Sequence, residues 1–219
     1  MSRFLPAAGP LGPDDAGHAI VRYWLVALVL LVFAMVLVGG ATRLTGSGLS
    51  ITEWRPVTGA IPPLNAADWA LEFEKYRASP QYSLLNQGMG LEDFKFIYWW
   101  EWGHRQLGRF IGLVHLGGLI GLVALGLVSR RLAVLLFGMG LLLALQGAVG
   151  WIMVASGLQP GMIAVAPVKL TLHLGFACLY LVSLVFVATR LAPGRDRLSP
   201  GPRGAALWFF FAGWLFHSL

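Results

Sequence analysis

Long apolar stretches separated by short polar or basic breaks set the pattern of this chain. Apolar runs occupy about 23–41, 104–128, 132–154 and 169–189. Each is long enough, as a helix, to cross a hydrocarbon core of about 30 Å. The pattern predicts an all-α polytopic membrane protein with a four-helix transmembrane bundle within 23–189. A further apolar stretch, 205–219, has fifteen residues and no polar flank to close it. At roughly 22 Å of helix it is expected to be an incomplete, truncated fifth span. Between the first two spans lies a polar stretch, 42–103, broken by Pro56, Pro62, Pro63 and Pro80. Asn65 with Asp68 three residues on predicts a capped amphipathic helix that ends before Pro80, and a second helix is expected from near Leu91 into the next span. Residues 1–22, with Pro6, Pro10, Pro13 and the pair Asp14-Asp15, read as a disordered tail. The first span is too long for a secretory signal peptide, and no cleavage site follows it.

Composition agrees with that class. Of 219 residues 57% are hydrophobic and only 12% charged, where a soluble domain carries about 25% charged residues. Mean hydropathy is +0.71. The net charge of +6 does not point to nucleic acid, because the arginines are scattered among the spans. They read as topology signals instead. Arg130-Arg131, expected to form a tight turn, and the 190–204 loop with Arg190, Arg195, Arg197 and Arg203 are basic, whereas the 155–168 loop is uncharged. The excess of basic residues marks the inner side, so the N-terminal tail is expected in the cytoplasm and the 42–103 loop outside a bacterial plasma membrane. The only cysteine, Cys178, lies in an apolar helix. It excludes an intrachain disulfide framework and reads as small core filler.

The candidate chemistry gathers where the second span begins. Tyr98-Trp99-Trp100-Glu101-Trp102-Gly103-His104-Arg105-Gln106-Leu107-Gly108-Arg109 puts a carboxylate, an imidazole and two guanidinium groups beside a run of apolar residues. Ionisable groups there mark either a functional site or an interfacial anchor on lipid headgroups. The expected topology places His104 and His173 near the outer leaflet at similar depth on different helices. Such a pair can ligate one haem iron axially, with His104 and His173 as the metal ligands; zinc would want a third strong donor. Gly108 and Gly112 on the His104 face and Ala177 on the His173 face fit a slot for a flat macrocycle, and fit plain helix packing equally well. His115 is expected to make an interhelical hydrogen bond, the alternative being a second, deeper ligand. His18 in the tail and His217 in the last segment have no placeable partner. Arg105, Arg109 and Arg43 are candidates for pairing with carboxylates such as haem propionates, with lipid phosphate as an equal competitor. Glu101 shares a helix face with His104 and Arg105. It reads either as a carboxylate that exchanges protons or stabilises positive charge, or as the ion-pair partner of Arg105.

A longer string carries a resemblance. Gly39-Gly40-Ala41-Thr42-Arg43-Leu44-Thr45 runs into Ser47-Gly48-Leu49-Ser50-Ile51-Thr52-Glu53-Trp54, then Pro56, Gly59 and Pro62-Pro63. Glu101-Trp102-Gly103-His104-Arg105, Gly108-Arg109, Gln146-Gly147, Gly150-Trp151, Met153-Val154, Ser156-Gly157-Leu158 and Leu172-His173-Leu174 complete it. Over about 150 residues this set resembles the haem A synthase family, in the subtype without a cysteine pair in the first outer loop. The resemblance implies oxidation of the C8 methyl of haem O to a formyl group by successive hydroxylations, in the service of cytochrome c oxidase assembly. It makes His104 and His173 axial ligands to the substrate haem and Glu101 the catalytic carboxylate. It also implies eight spans in two related halves, of which this chain corresponds to the N-terminal one, with a haem b in the other. Haem O, haem O synthase, membrane lipids and a second copy of the chain are the partners it suggests. Two other classes compete: a b-type electron-transfer cytochrome holding bis-histidine haem, and a transport or haem-delivery scaffold.

Overall fold

The computed structural model of the chain describes residues 15–192. The first part of the expected tail, most of the basic loop, the expected fifth span and His217 lie outside the described residues. Among the described residues six α-helices follow one another: α1 (Asp15–Leu44), α2 (Ala66–Arg77), α3 (Pro80–Leu84), α4 (Leu91–Ala124), α5 (Arg130–Gly157) and α6 (Pro167–Arg190). Among the described residues there is no strand. Four of these helices, α1, α4, α5 and α6, are long and apolar enough to cross a membrane. The chain is a polytopic helical membrane protein.

The four long helices form a ring in which α1 packs on α4, α4 on α5, α5 on α6 and α6 back on α1. That order puts α4 and α6 on one diagonal of the bundle. The spacing of the buried residues explains the packing. Val21, Leu25, Leu28 and Val32 on α1, Leu132, Leu136 and Met139 on α5, and Tyr180, Leu184 and Val187 on α6 are buried in one cluster with Ile111, Leu119 and Leu122 of α4. Steps of three and four residues keep one stripe facing inward, as in a left-handed bundle.

That core fills only one end. No residue is buried over 33–41 of α1, 102–110 of α4, 140–153 of α5 or 167–179 of α6. These four stretches lie at the same end of the bundle, where residues 45–90 form a cap. Tyr76 of the cap and Phe94 of α4 are fully buried and their rings stack at 5.3 Å. Asn65 caps α2 by accepting from the Asp68 amide at 2.9 Å, as its spacing predicts. The short helix α3, not foreseen in the sequence, starts on Ser79 and Pro80, a capping hydroxyl followed by proline at the first helical position.

Two boundaries differ from the sequence reading. Helix α1 begins at Asp15, well before the apolar run, because Val21 is already fully buried and Gly17 lies against Leu127. Residues 15–22, His18 among them, are therefore helix rather than disordered tail. Arg130 and Arg131 belong to the first turn of α5 and not to the preceding turn. The turn is made by Gly126, in the left-handed region at φ +67°, and the Ser129 hydroxyl caps α5 by accepting from Leu132 N at 3.3 Å.

Candidate haem-binding site

His104 projects from the first membrane turns of α4 and His173 from those of α6. These helices are diagonal in the ring, so the two histidines come from opposite corners of the bundle. A second pair sets their relative depth. His115 of α4 and Tyr180 of α6 are hydrogen-bonded at 2.8 Å. His104 lies eleven residues above His115, roughly 16 Å, and His173 seven residues above Tyr180, roughly 10 Å. The two histidines are thus level to within about one helical turn.

Their surroundings fit a two-imidazole ligand set. Among the described residues His104 makes no side-chain hydrogen bond, and His173 Nδ1 is buried without a partner. The other nitrogen of His173 is 3.4 Å from the Gln146 side-chain nitrogen, while Gln146 Oε1 is itself unpartnered. Unpaired buried polar atoms are costly, and a metal ligand is one kind of group that tolerates them. Among the described residues no three His, Cys, Asp or Glu side chains converge. Two imidazoles, in the part of the bundle without buried apolar residues, are the donor set of a bis-axial haem and fit that group.

The small residues that make room differ from those the sequence suggested. A methyl group at Gly39 of α1 would lie 3.1 Å from His104 Nε2, and one at Gly150 of α5 would lie 2.7 Å from His173 Cε1. Gly108 instead faces Met35, and nothing lies within 4 Å of a methyl group at Gly112. The glycines that matter come from neighbouring helices, which intrahelical spacing cannot show.

His115 is the interhelical residue of the bundle's far half. Its Nε2 is 3.0 Å from the Leu136 carbonyl, which can only accept, so Nδ1 accepts from the Tyr180 hydroxyl. Trp24 of α1 stacks obliquely on it and donates to Val114 O at 3.1 Å. Both ring nitrogens are engaged, which removes the reading of His115 as a second ligand.

Glu101 is buried and has the ion pair with Arg105, at 2.5 Å. Its other oxygen, Oε2, accepts from Ser50 Oγ and from Ile51 N, each at 2.8 Å. Arg105 donates to Ile51 O at 2.8 Å and Glu53 O at 3.1 Å, and its guanidinium lies over the Trp151 ring. Arg109 donates to Arg55 O and Pro56 O, both at 2.9 Å. Two of the three candidate arginines are therefore bound to protein carbonyls. Arg43 differs: it is exposed and, among the described residues, has no hydrogen-bond or ion-pair partner. It stands one turn beyond Gly39 on the same face of α1. Cys178 is a free, half-buried thiol.

Fold and histidine pair together define a multi-pass helical membrane protein with one histidine on each of two diagonal spans. A model of the COX15-CtaA family, described as cytochrome oxidase assembly protein, matches residues 22–217. The chain belongs to this family. It is 63% identical over 195 residues to the haem A synthase of Methylorubrum extorquens strain PA1, covering 89% of this chain and 50% of the relative. With the haem A synthase of Methylobacterium radiotolerans it shares 63% over 191 residues, 87% of this chain and 52% of that protein. The haem A synthase of Cereibacter sphaeroides strain ATCC 17029 is 55% identical over 191 residues, 85% and 49%. The chain spans about half the length of these curated relatives. No solved structure matches it.

Proposed function

We propose that this chain is the substrate-binding half of a haem A synthase, in which His104 and His173 hold haem O between α4 and α6. The observation that carries the reading is the histidine pair on diagonal helices, in the one stretch where none of the four spans buries a residue. Identity above one half to proteins named haem A synthase supports it.

In this reading the chemistry is conversion of the C8 methyl of haem O to a formyl group. That is a four-electron oxidation: two hydroxylations of two electrons each, and then loss of water from the geminal diol. The protein's own part begins with orientation. Gly39 and Gly150 let the two imidazoles lie against α1 and α5. Arg43, whose guanidinium has no partner among the described residues, takes a propionate carboxylate. Glu101 is the carboxylate on which turnover depends. The N-terminus lies in the cytoplasm and the cap outside the plasma membrane, following the basic pair Arg130-Arg131 at the start of α5. The haem b that the family resemblance implies belongs to the relatives' other half, and haem O synthase is the enzyme expected to supply substrate.

Reconstitution of the purified chain with haem O tests this. The expected result is a low-spin Soret spectrum with two imidazole ligands, lost in both His104→Ala and His173→Ala and kept in His115→Ala. Retention of that spectrum in either of the first two variants overturns the ligand assignment.

A further inference from the structure

We propose that Glu101 and Arg105 serve the reaction as positioning residues, by holding the segment Ser50–Pro56 as a fixed wall at the cap end of the histidine site. This rests on the functional reading above and concerns how Glu101 contributes to it.

Residues 51–56 have no helix or strand of their own. Ile51 is buried and its backbone polar groups need partners within the protein, while 54–56 are exposed. Side chains from one face of α4 supply them. Glu101 accepts from the Ile51 amide, Arg105 donates to the carbonyls of Ile51 and Glu53, and Arg109 to those of Arg55 and Pro56. Three residues at four-residue steps on α4 thus bind five backbone groups of the segment. Glu101 also accepts from the buried Ser50 hydroxyl.

The carboxylate and guanidinium work as one unit. Glu101 Oε1 takes two N–H groups of Arg105, at 2.5 and 3.1 Å, and Arg105 in turn reaches Ile51 and Glu53. Each is therefore held in the geometry the other needs, and charge-assisted bonds of this kind are the stronger sort. Both residues flank His104 on α4, three positions before it and one after. Release of the segment frees the turn that carries the ligand. Thr42 reinforces the same turn from α1, donating to Trp100 O at 3.3 Å. Both carboxylate oxygens are directed to the segment and to Arg105, so the contribution of Glu101 passes through them.

Amide hydrogen exchange of the full chain in nanodiscs, with and without haem O, tests the proposal alongside product formation. In Glu101→Ala and Arg105→Ala alike, protection across 50–56 should fall about tenfold or more, since each leaves buried partners unsatisfied. The double variant should be no worse than either single one, and the ligand-field bands of the bound haem should shift together in all three. Ser50→Ala, which leaves both charges in place, should give a smaller loss of protection and a parallel, smaller loss of turnover. Unchanged protection of Ile51 in Glu101→Ala overturns the clamp. Full turnover in Arg105→Ala, with protection lost as in Glu101→Ala, overturns positioning in favour of direct action by the carboxylate. Failure of the wild-type chain to bind haem O would sink the functional reading instead, while the exchange pattern of 50–56 would still report on the clamp.

Discussion

Gly150 of α5 touches His173 of α6 so closely that a methyl group added at 150 would lie 2.7 Å from Cε1 of the ring. No carbon sits at that distance without something moving, and the imidazole is what must move. Gly150→Ala should therefore weaken haem binding more than tenfold, a change that corresponds to about 1.4 kcal/mol. Gly39→Ala, whose methyl meets His104 Nε2 at 3.1 Å, should do so less. Gly112→Ala, with open space around it, is the control. Titration of each variant by Soret absorbance gives the comparison; equal affinities for all three would show that the rings do not need these glycines.

The His115–Tyr180 bond ties the far half of the bundle together and lies roughly 16 Å from His104 along α4. Tyr180→Phe leaves His115 Nδ1 buried without a donor. It should cost about 1–3 kcal/mol of unfolding free energy and leave haem affinity at the wild-type level. Denaturant titration in bicelles, followed by haem titration of the surviving folded protein, separates the two effects. A joint loss would return His115 to the haem site.

Arg43 carries a different expectation from Arg105 and Arg109, because its guanidinium has no partner among the described residues while theirs bind carbonyls. Arg43→Gln should lower affinity for haem several-fold, in the range of about 1 kcal/mol for an exposed ion pair, and leave affinity for haem dimethyl ester unchanged. An equal loss for acid and ester would mean that Arg43 acts on something other than a propionate.

Much of the fold is legible in the sequence, because span length and the three-and-four spacing of apolar residues are local properties. The four spans, the Asn65 cap and the helix from Leu91 all follow from such patterns. Depth was legible too: alternating spans put His104 and His173 at the same end. What stayed hidden depends on contacts between helices. Gly108 shares a face with His104 in the sequence, yet the glycine against that ring is Gly39, sixty-five positions away. The arginines read as ligands for an anion, and two of them bind carbonyls of a segment about fifty residues distant. An Arg–carbonyl bond leaves no trace in residue type, since every residue has a carbonyl. Glu101 lay between two readings for the same reason: its spacing to Arg105 is local, but Ser50 and the Ile51 amide are not.

The cap offers one pH test outside the membrane spans. Tyr76 is fully buried, donates to Gln81 Oε1 at 3.1 Å and accepts from Asn86 Nδ2 at 2.6 Å. Burial holds its phenol above the ordinary value of 10.0, against the opposing Asn86 bond and with smaller help from the charges of Glu101 and Tyr82. The native cap therefore keeps a proton that the opened cap releases, and the stabilisation is fully present below about pH 10 and lost as pH rises above it. Hydrogen exchange across 76–86, corrected for the intrinsic rate, should accelerate between pH 9 and pH 11 by more in the wild type than in Tyr76→Phe. Phenylalanine has no proton to lose, so its cap should start looser and then stay flat over that interval. A step of equal size in both proteins would assign the alkaline loosening to another group.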